Sequence, residues 1–200
     1  FYGTRADHDD ITSQMATFRF EHDFSDTVKL TNTARWGKTE QDYLLTAFMS
    51  TGANTTLPVG ADPNDLSAYT LTRGNPTFKD QANTILTDQL NLRVDFTTGS
   101  VQHNLSTGLE FTREEQQLRG QAAINRSTWT PANLYNPDIN ATGLSWAHNG
   151  ADSEGKTTTS SVYIFDTLKF SESFLVTAGL RLDDYTTDYF AVAPCTTTLP

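Results

Sequence analysis

The sequence predicts an all-β chain: a segment of an antiparallel transmembrane β-barrel, with about six long strands in three hairpins. Three observations carry that prediction. Apolar side chains recur at every second position over long stretches, the period of a strand with one apolar and one polar face. The stretches are joined alternately by short turns and by two long polar connections, 47–83 and 120–156. Aromatic residues gather near both ends of the apolar faces.

The first hairpin spans about 13–46. Ala16, Phe18, Phe20, His22 and Phe24, then Val28, Leu30, Ala34 and Trp36, share one face. Arg19, Glu21, Asp23, Lys29, Thr31, Thr33 and Arg35 alternate with them. Ser25 and Asp26 suit the turn between. The second hairpin spans about 84–119. Leu86, Leu90, Leu92, Val94 and Phe96 lead into "TTGS" at 97–100, and Val101, His103, Leu105, Thr107, Leu109 and Phe111 lead out.

The third hairpin spans about 157–190 and turns at "SES". Phe174, Val176, Ala178, Leu180 and Leu182 alternate cleanly with polar residues. The incoming strand is less regular. Val162, Ile164, Leu168 and Phe170 share a face with Asp166, while Tyr163 and Phe165 lie opposite. Either a bulge shifts the register there or Asp166 has a partner.

The long connections are rich in Gly, Asn, Pro, Thr and Asp, and both lie at the end opposite the short turns. Connections of that length are uncommon inside a compact domain. Short turns at one end and long loops at the other are the layout of a barrel in lipid, where every backbone group must pair between strands. Phe24, Phe96, Phe170 and Phe174 adjoin the short turns, and Trp36 and Phe111 stand farther along the same faces. A tilted strand covers the apolar band of about 25 Å over that length, so these six are candidates for two interfacial girdles. The same alternation fits a water-soluble sandwich or open barrel whose apolar face meets a second sheet. Strands there average about five or six residues, shorter than these.

Composition narrows the function classes. Only 36% of residues are hydrophobic and mean hydropathy is −0.47, which is little for a packed soluble core. A formal charge of −10 argues against a phosphate-backbone partner, so no nucleic acid is expected. The single cysteine, Cys195, cannot close a disulfide within the chain or form a CxxC motif. No apolar run reaches the roughly 18 residues of a membrane-spanning helix, and the acidic start "FYGTRADHDD" is no signal peptide. Both ends look cut, so the expectation is a piece of a longer protein.

"FYG" followed by "RADHDD", "FRFEHDFSDTVKLTNTARWGKTEQDYLLT" and "SSVYIFDTLKFSESFLVTAGLRLDDYTTDY" together resemble the TonB-dependent outer-membrane siderophore receptors, and among them the catecholate type. The resemblance covers most of residues 1–192. It implies a 22-stranded barrel around an N-terminal plug, in the outer membrane of a Gram-negative bacterium. It also implies capture of a ferric siderophore by plug and loops, and energy delivered to the plug by TonB. This chain has room for about six strands and no plug or TonB-binding segment, so it reads as an internal slice of the barrel wall. Its partners are then outer-membrane lipid, the siderophore and, through the missing plug, TonB. No resident cofactor is expected; the iron(III)–siderophore complex is cargo.

No GxSxG, HExxH or phosphate-binding glycine loop is present, and no enzyme activity is expected. His22 and His103 sit beside turns on apolar faces, where an amphipathic ring suits the headgroup region. The acidic stretches at 5–10 and 62–67 fit solvated loops better than cation sites, and no metal is expected. The lumen face is expected to hold Arg19, Glu21, Asp23, Lys29, Arg35, Arg93, Asp95, Glu110, Arg113, Arg181 and Asp183, pairing across strands. An iron–catecholate complex is an aromatic anion, which Arg can pair with and Trp or Tyr can stack against. The ligand candidates are therefore Tyr69 and Arg73 in the first long loop, and Arg119, Arg126, Trp129, Tyr135 and Trp146 in the second. Cys195 is expected to pair with a cysteine beyond residue 200. Asn54, Asn104, Asn125 and Asn140 begin N-x-S/T triplets that carry no meaning in a bacterial outer-membrane protein. A passive porin or adhesin barrel, and a secreted β-sandwich binding carbohydrate, are the alternatives of other classes.

Overall fold

A computed structural model describes residues 2–47 and 55–193; Cys195 and Asn54 lie outside them. The strands are β1 (His8–Ser25), β2 (Val28–Thr46), β3 (Thr55–Thr56), β4 (Thr70–Leu71), β5 (Pro76–Thr98), β6 (Val101–Arg119), β7 (Gln121–Ala123), β8 (Ala132–Asn133), β9 (Trp146–His148), β10 (Ser153–Ser171) and β11 (Phe174–Ala191). The six long ones form one antiparallel sheet in the order β1-β2-β5-β6-β10-β11. Short 3-10 turns at Leu66–Ala68 and Ile124–Arg126 are the helical elements among the described residues.

The register keeps the apolar positions on one side across all six strands. One row reads Phe20, Asn32, Leu90, Leu109, Val162, Leu182; the next reads His22, Leu30, Leu92, Thr107, Ile164, Leu180. Around these rows nothing among the described residues covers the face: Phe18 is 66% exposed and Leu180 73%. The three short turns are two residues each, at Asp26–Thr27, Gly99–Ser100 and Glu172–Ser173. Gly99 takes a positive φ of 63°, which a residue without a Cβ adopts at no steric cost.

The strands run beyond the clean alternation. β2 continues ten residues past Trp36, and β5 begins at Pro76 and β10 at Ser153, so the long connections shorten to 47–75 and 120–152. A span of about 25 Å needs only about nine to eleven tilted residues, so the upper half of each strand stands clear of the apolar band. There both faces mix polar and apolar residues, which corrects one placement. Arg113 does not face the lumen. It lies on the side of Leu109 and Phe111, paired with Glu115 on the same strand.

Asp166 stays on the apolar side, because the one irregularity in that strand lies between Lys169 and Ser171, past it. Its partner is His103, whose Nδ1 is 2.6 Å from Asp166 Oδ2 and whose ring stacks on Phe96 at 4.5 Å. The other carboxylate oxygen is buried without a hydrogen bond. His22 packs edge-on against Phe24 at 4.6 Å. At the girdle positions, Phe170 meets Phe174 at 5.5 Å beside the turn, and Trp36 lies opposite Leu86 at the upper boundary.

Candidate functional site

The polar face is held by hydrogen bonds that lock the wall. Tyr163 projects from β10 over Gly108 of β6 and reaches β5, where its hydroxyl meets Asn91 Nδ2 at 2.9 Å and Gln89 Nε2 at 3.3 Å. A Cβ on Gly108 would come 2.6 Å from that hydroxyl oxygen, so this crossing requires glycine. Phe165 likewise lies on Gly179, where an added Cβ would sit 2.0 Å from its Cδ1. Aromatic cover of a strand glycine restores the packing that the missing side chain forfeits.

Charges pair both along strands and across them. Arg19 with Glu21, Arg93 with Asp95 and Arg181 with Asp183 are i,i+2 neighbours on one face. The cross-strand links are Lys29 to Glu21 at 3.6 Å, Lys29 to Asp23 at 3.8 Å and Arg181 to Glu110 at 2.9 Å. Ser161 and Arg181 both donate to Asp183, and Arg181 also donates to the Ser161 hydroxyl.

Two polar-face cations have no carboxylate partner among the described residues: Arg35 on β2 and Lys79 on β5. Lys79 stands directly opposite Tyr43 near the loop end. Sequence reasoning missed Lys79 because it fell inside the stretch taken as loop. The signal was there: Lys79, Gln81, Asn83 and Ile85 continue the odd-numbered side of β5. At a height between Arg35 and Lys79, a trough of about 560 Å³ crosses the strands from Ser13 on β1 to Thr187 on β11; its lining includes Gly37, Thr39, Asn83, Ile85 and Glu114 but neither cation.

The loops knit into one unit beside this wall. β4 pairs with β3 and β8, tying the first loop to the second. Arg73, 4% exposed, donates to the carbonyls of Tyr2 at 3.0 Å, Thr130 at 2.7 Å and Asp138. Burial pulls its pKa below the usual guanidinium value, with Asp138 and Asp7 opposing. Trp129, 7% exposed, packs with Leu44 and Leu144 in a small core on the side of the sheet that Trp36 occupies. Trp146 stacks on Phe78 at 6.3 Å on that same side. Arg119 faces that side too, 4.0 Å from Asp80. Tyr69 donates its hydroxyl to the Pro63 carbonyl at 3.1 Å. Arg126 and Tyr135 are exposed. The seven predicted ligand residues are thus not gathered in one place. Arg73 and Trp129 are committed to packing.

The acidic stretches serve local turns. Asp7 accepts from Thr4 and from Thr46 Oγ1 at 2.6 Å, and Asp65 caps the first 3-10 turn through the Ser67 amide. Among the described residues no group of three or more His, Cys, Asp or Glu side chains is placed to hold a metal ion. His8 titrates above its ordinary value of 6.5, first through its hydrogen bond to the Ala6 carbonyl and then through Asp42 and Asp10.

Comparison with known proteins sets this wall in context. A family model described as TonB dependent receptor-like, beta-barrel matches residues 1–197. The catecholate siderophore receptor Fiu of Escherichia coli K12 is 43% identical over 195 residues, covering 98% of this chain and 25% of Fiu. A probable TonB-dependent siderophore receptor of Acinetobacter baumannii, PiuA, is 24% identical over 201 residues, covering 92% of this chain and 25% of its own. The closed form of the E. coli ferric-catecholate import receptor Fiu superposes with a TM-score of 0.87 at 41% identity, over 99% of this chain and 27% of that one. The chain therefore spans about a quarter of the length of the curated relatives it matches. On the family match over nearly its whole length, the chain belongs to the TonB-dependent receptor β-barrel family.

Proposed function

We propose that this chain is part of the wall of an outer-membrane receptor that takes up a ferric siderophore of the catecholate class. What carries the reading is the 43% identity to a catecholate siderophore receptor across 98% of the chain. The two faces agree with it: an apolar side left uncovered from Trp36 down to the short turns for lipid, and a hydrogen-bonded polar side for a lumen. In this reading, loops and plug capture the ligand, and TonB drives rearrangement of the plug. Exposed Arg126 and Tyr135, with Tyr69, are the loop groups assigned to first contact, because a cation and phenol rings suit an aromatic anion. The chain contributes binding and enclosure, with no catalytic step. Neither a passive porin or adhesin nor a soluble carbohydrate-binding sandwich has support in the family match.

The test is uptake by the full-length parent. Cells that lack their other catecholate receptors and express the parent should accumulate radioactive iron from a ferric catecholate. That accumulation should vanish when TonB is deleted. Accumulation that persists without TonB would select the passive barrel.

A further inference from the structure

We propose that the polar-face seam between β2 and β5 is a binding track for an anionic, oxygen-rich ligand, with Arg35 and Lys79 as its charged ends. The inference rests on the receptor reading above and assigns part of its ligand path to named wall residues. The seam departs from the rest of the wall. Lower down, Arg19, Lys29, Arg93 and Arg181 each have a wall carboxylate within the range of an ion pair. Arg35 and Lys79 have none among the described residues, although the chain carries ten more acidic than basic residues: 24 against 14.

The residues between them are neutral. On β2 the polar side reads Arg35, Gly37, Thr39, Gln41, Tyr43; on β5 it reads Thr87, Ile85, Asn83, Gln81, Lys79. The nearby acids Glu40, Asp42 and Asp80 occupy even positions and point to the opposite face; Asp9 of β1 shares the polar side opposite Tyr43, where it accepts from Gln41 Nε2 at 2.9 Å. Asn83 accepts from Gln81 and Gln116 through its carbonyl oxygen, at 2.9 and 3.1 Å, and its own NH₂ has no partner among the described residues. The trough of about 560 Å³ crosses this seam at Gly37, Thr39, Asn83 and Ile85, between the levels of the two cations, and is within the size range of ligand pockets. Gly37 keeps its floor low: a Cβ there would press on Ile85 Cγ2 at 3.2 Å. Glu114, opposite Ile85 on β6, bounds the track on one side and excludes an anion from that strand. An unpaired cation at each end, amide and hydroxyl groups between, and a carboxylate fence beside them fit a ligand that carries negative charge on many oxygens.

The experiment titrates the full-length parent in detergent with iron(III) tris-catecholate, a trianion, and follows tryptophan quenching at low and high ionic strength. Arg35→Gln and Lys79→Gln should each raise Kd about threefold to tenfold at low salt, with the difference shrinking at high salt. Arg35→Lys should keep most of the affinity, and Arg113→Gln on the opposite face should change nothing. Heat-modifiable gel migration reports that each variant barrel is folded. Unchanged Kd in both folded glutamine variants would overturn the track and leave the receptor reading standing. A loss of equal size at both salt concentrations would also overturn it, because the seam would then be seating protein by packing. If the unsubstituted parent does not bind the trianion, the receptor reading fails and the track fails with it.

Discussion

At Arg73 the physics of one side chain decides a question that its neighbours in sequence leave open. Its three acceptors lie 71, 57 and 65 residues away, so no local pattern could show that a loop arginine is the clasp of the loop unit. Removing it would leave three carbonyls short of a donor. Arg73→Met should cost the loop unit roughly 2–4 kcal/mol, seen as faster amide exchange over 66–74 and 128–140 with the six long strands still protected. Asp166 was half legible. Alternation placed it on the apolar side; His103, its partner, came from the register of another hairpin. His103→Leu strands a carboxylate on that face and should destabilise the full-length barrel by about 3–5 kcal/mol in denaturant unfolding. The double variant with Asp166→Leu should recover most of that loss. His8 adds a pH dependence. Its pKa is raised in the folded state, so its contribution is fully present below about 6.5 and fades as pH rises through the raised value. Amide exchange of residues 4–8 should therefore quicken across neutral pH beyond its intrinsic rate, and His8→Gln should abolish that extra change.

On the scale of strands and hairpins, the period of two was enough to read six elements and their faces, because lipid and lumen demand opposite chemistry of alternate residues. The reading failed where that demand stops. Above Trp36 and Phe111 both sides of the sheet mix polar and apolar residues, so Arg113 could not be assigned by polarity and Lys79 passed for loop. Only strand register, counted residue by residue, separates the faces there. Glycine positions were equally silent in sequence, since Gly108 and Gly179 look like breaks in a strand until Tyr163 and Phe165 are found lying on them. Gly179→Val should push Phe165 off the wall and lower stability by about 1–3 kcal/mol, measured on the full-length barrel. The size of that loss should fall sharply in a Phe165→Ala background.

For the molecule as a whole, the sheet has two open edges, β1 and β11, and an apolar face that, from Trp36 down to the short turns, has no protein layer over it among the described residues. Neither is stable in water. The isolated chain should aggregate when expressed alone, and a monodisperse sample with a cooperative melt in plain buffer would count against the membrane assignment. The central claim is that hydrocarbon covers the side bearing Phe18 and Trp36 while water or plug meets the other. Nitroxide labels at single cysteines through residues 16–24 of the full-length parent in lipid vesicles measure this directly. Collision with dissolved oxygen should peak at the even positions and collision with a water-soluble nickel chelate should not. The same low collision rates with both reagents at the even positions, as under a second protein layer, would contradict the account.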